Sequence, residues 1–231
     1  VADYESLTHH KIRPRHTLPK EPIKGSGKGY DSRPLVGSLL WLTRCFRPDV
    51  GRCVGVLGSS IESWDSEHHV DFERAVLGMI EATKDSQLVM QFHKDDRPQD
   101  LRLETHSDAS LAAPRSISGS YTFLASDRGS HIPLSWKSKR QGLATTSSAS
   151  AEYIALSLAT EATMPIQDTL VELGVLSASQ TPILSCDNRA VLLGLTRGFS
   201  SYDSVTSKAS ALRICQLHDM QNKNLIKYQF V

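Results

Sequence analysis

The chain has 231 residues, of which 39% are hydrophobic and 22% charged, and its formal net charge is +1. These values describe an ordinary globular chain, long enough to bury a sizeable core as one large domain or two small ones. Whole-chain charge marks no nucleic-acid binder, and no apolar run approaches the roughly 18 residues that a membrane span needs.

Residues 1–33 read as a basic extended arm. Between positions 9 and 33, Lys11, Arg13, Arg15, Lys20, Lys24, Lys28 and Arg33 are offset only by Glu21 and Asp31. Pro14, Pro19, Pro22 and the glycines after them keep the segment extended. Such an arm suits a phosphate backbone; a solvated linker fits it equally. KGSGKG at 24–29 has the wrong glycine spacing for a phosphate loop and reads as linker. His9-His10 and His68-His69 lack the i, i+4 partners of a zinc helix.

Residues 34–92 predict a small helical segment. Pro48 separates two short helices, and an amphipathic helix follows over 64–82, with Trp64, Val70, Phe72, Val76, Leu77 and Ile80 near helical spacing. HKDDRPQD at 93–100 reads as a polar break before a second domain at 101–231. There LRLETHSD, GSYTFLAS and HIPLSWKS predict three strands, the last two joined through DRG at 127–129. A helix from about 148 is expected to break near Pro165, with a second helical piece through QDTLVELG. A buried strand at 181–188, the short helix RAVLLGL, an irregular loop, a helix near 205–219 and the strand NLIKYQFV complete the order. It argues for an α/β fold, a mixed sheet with helices packed on its faces.

Asp108 and Asp187 end predicted strands, and Glu152 opens the helix between them, where an α/β sheet presents ligand-binding groups. Helix capping by Ser147, Ser148 and Ser150, with a carboxylate at the positive end of the dipole, is the bland account of Glu152. If the three acids gather, they repel one another unless a cation bridges them. Oxygen-only ligands select a hard divalent ion, Mg²⁺ first. Cys45, Cys53, Cys186 and Cys215 form no CxxC pair and read as reduced, mostly buried thiols of an intracellular protein. A start at Val1, with no secretory signal, fits a removed targeting peptide, and mitochondrial residence is one expectation.

Five motifs sharpen this reading: SDA at 107–109, RSISG at 115–119, LSWKSKRQ at 134–141, SSASAEYIALS at 147–157 and CDN at 186–188. In that order and at those separations they resemble the ribonuclease H domain of copia-type retrotransposon Pol polyproteins. RPLVGSLLWLTRCFRPDVGRCVGVL at 33–57 resembles the segment joining that family's reverse transcriptase to its ribonuclease H. The sequence holds no polymerase palm and no YxDD-type motif. The resemblance implies a ribonuclease H-like mixed sheet and places Asp108, Glu152 and Asp187 on three of the family's four catalytic, metal-binding acids. The fourth lies in a stretch resembling TKHID, which here is SKASA at 207–211, so Ala211 takes its place. Asp203 and Asp219 are each about 12 Å of helical rise away.

The expectation is a retrotransposon-derived, domesticated protein that binds RNA or an RNA–DNA hybrid, with catalysis weakened or lost and at most a single Mg²⁺. The basic arm, Arg115 and Asn188 are candidate nucleic-acid contacts. Protein neighbours in a large ribonucleoprotein, an organellar ribosome among them, are expected as partners, and no membrane is. Two alternatives stay open: an active Mg²⁺-dependent ribonuclease H, and a protein–protein scaffold.

Overall fold

The computed structural model describes residues 5, 11–14, 31–61, 67–112, 115–145, 147–198 and 208–231, the side chains at 67–71 and 208–210 excepted. Arg15, Lys20, Lys24, Lys28, the 24–29 stretch, His9, His10, Trp64 and Asp203 lie outside the described residues, as do the side chains of His68, His69 and Val70. The chain divides into two compact units, Val1–Leu88 and Val89–Val231.

The first unit is helical. Helix α1 (Arg33–Cys45) starts with a proline in its first turn, where a missing N–H costs nothing. Pro48 opens a 3₁₀ turn (Pro48–Val50) that leads into α2 (Gly51–Ser59), and α3 (Glu67–Ala82) follows. Val36, Leu39, Val54, Leu57, Phe72 and Val76 form the buried apolar face of these helices. The Arg47 guanidinium, nearly buried, donates to both carboxylate oxygens of Asp49 at 2.9 and 2.7 Å and to Thr83 Oγ1 at 2.6 Å.

The second unit is built on one five-stranded sheet in the order β3-β2-β1-β4-β5. Strands β1 (Arg102–Ser110), β2 (Ile117–Ala125) and β3 (His131–Arg140) form an antiparallel meander. The β2–β3 turn uses Gly129 at φ 97°, a backbone state that favours glycine. Strands β4 (Ile183–Cys186) and β5 (Lys227–Phe230) add on in parallel after helical crossovers. The helices are α4 (Ser148–Glu172), α5 (Arg189–Arg197) and α6 (Lys208–Asn222).

Two apolar clusters hold this layer arrangement. Tyr153 and Leu156 of α4 pack with Leu184, Val191, Leu195, Ile214, Leu217 and Ile226, joining β4, α5 and α6. Leu101, Leu103 and Leu124 pack with Leu176 and with Ile166, Leu170 and Val171 of α4. That second cluster explains a difference from the sequence reading. Helix α4 does not break at Pro165; it runs unbroken through the proline to Glu172. An interior proline costs a helix about 3 kcal/mol. Ile166, Leu170 and Val171 beyond it are partly buried against that cluster, and together they offset the cost, each contributing a share of the roughly 1.5–3 kcal/mol that full burial of such a side chain gives.

The polar stretch at 93–100 belongs to the second unit. Gln91 and His131 exchange backbone hydrogen bonds at 2.9 and 2.8 Å, and His93 N donates to Ser130 Oγ at 2.8 Å. Asp96 accepts from Arg128 Nη1 at 3.0 Å and from Ser130 Oγ at 2.5 Å. The four cysteines are free thiols; Cys53 and Cys186 are buried, Cys45 is half-buried and Cys215 is exposed.

Candidate functional site

Strands β1 and β4 run parallel with Ser107 opposite Cys186, so the next residues, Asp108 and Asp187, stand side by side at one end of the sheet. Asp108 lies inside β1, two residues before its end, whereas Asp187 directly follows the last residue of β4. Both are exposed. The third acid arrives on α4, whose N-cap Ser147 accepts from Ser150 N at 3.1 Å. Glu152, the fifth residue of that helix, is 5% exposed.

One Glu152 oxygen, Oε1, accepts from Ala109 N at 3.2 Å, across to β1. The other, Oε2, is buried with no hydrogen-bond partner. Burial, then the Asp108 charge, then the Asp187 charge push the Glu152 carboxyl up to about 7, against the lowering effect of Ala109 N–H. Glu152, Cys186 and Asp187 each bring a ligand atom within 4.8 Å of the others. Asp108 stands outside that group, yet its charge weighs on Glu152 more than that of Asp187.

Cys186 was not singled out from the sequence as part of this cluster. Its thiol, pushed up to about 11 by burial and by the three carboxylates, stays protonated at neutral pH. A protonated thiol is a poor ligand for a hard cation.

The remaining sequence candidates distribute differently. Asn188 is the N-cap of α5, its Oδ1 accepting from Ala190 N at 3.1 Å and Val191 N at 3.3 Å, so its side chain is engaged in holding the helix. Arg115 is exposed two residues before β2, and Lys11 and Arg13 are exposed on the described part of the arm. Ala211 is half-buried in the first turns of α6. No helix among the described residues is long and apolar enough to cross a membrane.

No family model matches the chain. A retrovirus-related Pol polyprotein from transposon RE2 of Arabidopsis thaliana is 30% identical over 182 residues, covering 76% of this chain and 12% of the polyprotein. The corresponding polyprotein from transposon RE1 is 29% identical over 160 residues, or 68% of this chain and 10% of its own length. The homologues of this chain are copia-type transposon Pol polyproteins. The polyprotein from transposon TNT 1-94 of Nicotiana tabacum adds a match at 28% identity over 68% of the chain. The chain spans about a tenth of the length of these Pol relatives.

Among solved structures, LC11-RNase H1 from a compost metagenome covers 56% of this chain and 84% of its own at 14% identity, with a TM-score of 0.39. RNase H1 of Halobacterium salinarum covers 56% and 83% at 15% identity, with a TM-score of 0.35. The mixed five-stranded sheet with flanking helices, preceded by a helical segment, is the architecture that the Pol resemblance implied.

Proposed function

We propose that this Pol-related chain is a nucleic-acid-binding unit that holds a hard divalent cation at Asp108, Glu152 and Asp187, with phosphodiester hydrolysis weakened by Ala211. The observation that carries the reading is the buried, unpartnered Oε2 of Glu152 beside Asp187. A buried carboxylate oxygen without a partner costs about 1–3 kcal/mol or more, a penalty that a ligand relieves.

The donor chemistry suits Mg²⁺: Glu152 and Asp187 lie close together, Asp108 is near enough for its charge to weigh on Glu152, and the thiol beside them is protonated. Such an ion supplies charge neutralisation on a phosphoryl oxygen and a more acidic bound water. The chain's own residues do the rest. Ala109 N–H fixes the orientation of Glu152 through Oε1, leaving Oε2 for the ligand. Asp108 and Asp187, both exposed, present negative charge to the cation from the strand side. At position 211 a methyl group stands where the resemblance expects a carboxylate, and it neither binds a cation nor orients water. Loss of one such group is worth about 10²–10⁴ in rate.

The test is cleavage of an end-labelled RNA–DNA hybrid in Mg²⁺ and in Mn²⁺, alongside retention of the same hybrid in a binding assay and an Asp108→Asn control. Retention with little or no cleavage is the expected result. Efficient cleavage abolished by Asp108→Asn would establish the active-nuclease reading instead, and failure to retain the hybrid would remove the nucleic-acid role.

A further inference from the structure

A cleft of about 140 Å³ opens between edge strand β3 and helix α4, lined by none of the three acids. Its floor is β2 at Ser118, Gly119 and Ser120, and its helical wall includes Ala155 and Ala159. These residues are small, so a recess remains beside Leu158, which also lines it.

Register explains the polar rim. Ser118 pairs with Lys139 and Ser120 with Lys137, and cross-strand partners share a sheet face. Ser118 faces α4, because Gln141 Nε2 bonds both Ser118 Oγ at 2.8 Å and the Ala151 carbonyl at 2.9 Å. Lys137 and Lys139 therefore project on the α4 side, at the edge, where both are exposed; Arg140 also lines the cleft. No carboxylate among the described residues lines it. Gln141, 1% exposed, fixes the floor, and its Oε1 has no partner.

We propose that this cleft seats the phosphodiester backbone of a bound nucleic-acid strand, with Lys137, Lys139 and Arg140 as its cationic contacts. The inference rests on the reading that the chain binds nucleic acid, and it names a second contact surface for it. Three cations around a preformed recess, with no carboxylate among the described residues that line it, match a polyanion. Continuity with the acid site supports a strand as the occupant: Gln141 bonds the carbonyl of Ala151, the residue before Glu152, and Ala155 lies one helical turn further.

The experiment is hybrid binding as a function of salt for the wild-type chain, for Lys137→Gln/Lys139→Gln and for Lys223→Gln/Lys227→Gln. The last pair makes the same charge change at exposed lysines at and just before β5, the strand on the opposite edge of the sheet from β3. Each lost phosphate contact lowers the slope of log affinity against log salt by about 0.9. The expected result is a slope smaller by about 1–2 for the cleft variant and unchanged for the control. Wild-type binding with equal slopes in all three proteins overturns the cleft and leaves the proposed function standing. So does an equal fall in both variants. A wild-type chain that does not bind the hybrid overturns the reading and the cleft together.

Discussion

Glu152 and Asp96 are both buried carboxylates of the sheet unit, and the fold treats them in opposite ways. Both Asp96 oxygens are used: Oδ1 accepts from Arg128 and Oδ2 from Ser130. Burial alone would raise its carboxyl, but the hydrogen bonds from Ser126, Ser130 and Arg128 and the Arg128 charge outweigh it, lowering it to about 2. Glu152 has one backbone donor, an idle oxygen and two acidic neighbours, and it rises to about 7. One carboxylate is completed by the protein. The other keeps a buried oxygen without a hydrogen-bond partner, the feature on which the proposed ligand role rests.

The largest expected effect tests what the site lacks. Ala211→Asp restores a carboxylate where the resemblance places the fourth acid, on a half-buried position of α6. Cleavage of an RNA–DNA hybrid in Mg²⁺ is expected to rise about 10²-fold or more in single-turnover assays. No gain from a folded variant would mean that more than one missing group limits the reaction.

Next comes the cost of leaving Glu152 incomplete. Its folded pKa lies above its unfolded value, so the unfolded chain releases this proton first. Stability of the metal-free protein therefore falls as pH rises from about 4.5 to about 7, and is level above. After discounting for solvent screening, the penalty at pH 8 is about 1–2 kcal/mol. Glu152→Gln should raise the melting temperature in EDTA at pH 8. The same substitution should abolish the rise that saturating Mg²⁺ produces in the wild-type chain, about 2.7 kcal/mol at a hundredfold excess over Kd. Thermal melts with and without the ion measure both, and unchanged melts in all four conditions would deny Glu152 a ligand role.

Asp96 sharpens the comparison with the reverse sign. Its depressed pKa contributes stability above about pH 4 that is lost as pH falls toward about 2. Asp96→Asn is expected to lower stability at neutral pH and to flatten the acid limb over that window. Chemical denaturation at pH 7, 4 and 2.5 reads both effects.

Much of this contrast was legible in the sequence, and the illegible part has a physical pattern. Periodicity located the helices and strands because burial of one face dominates their stability, and Pro48 divided the first helices as expected. Pro165 misled because the local penalty was visible, whereas the distant partners of Ile166 and Leu170, such as Leu101 and Leu124, were not. The three acids were found through motif order, but the thiol beside them was not. Its position depends on the β1–β4 register, which brings Cys186 opposite Ser107. The β3–α4 cleft was also missed, although the alternation of Lys137 and Lys139 along one strand was a usable signal. Asp96 lay in a stretch read as a polar break, and only the fold reveals its partners.

Asn188 closes the comparison with the smallest effect. The sequence suggested it as a nucleic-acid contact, and in the fold its side chain caps α5 just after Asp187. Its Oδ1 accepts two hydrogen bonds within the chain, from Ala190 N and Val191 N. Loss of such a cap costs about 1 kcal/mol. Asn188→Ala is expected to lower stability by that amount, while Asn188→Asp keeps the cap and the stability. If hybrid affinity tracks stability, falling for alanine and holding for aspartate, the residue acts by fixing the start of α5 beside Asp187. An affinity that falls for both variants while only alanine is destabilised would give Asn188 a direct contact that the capped geometry does not provide.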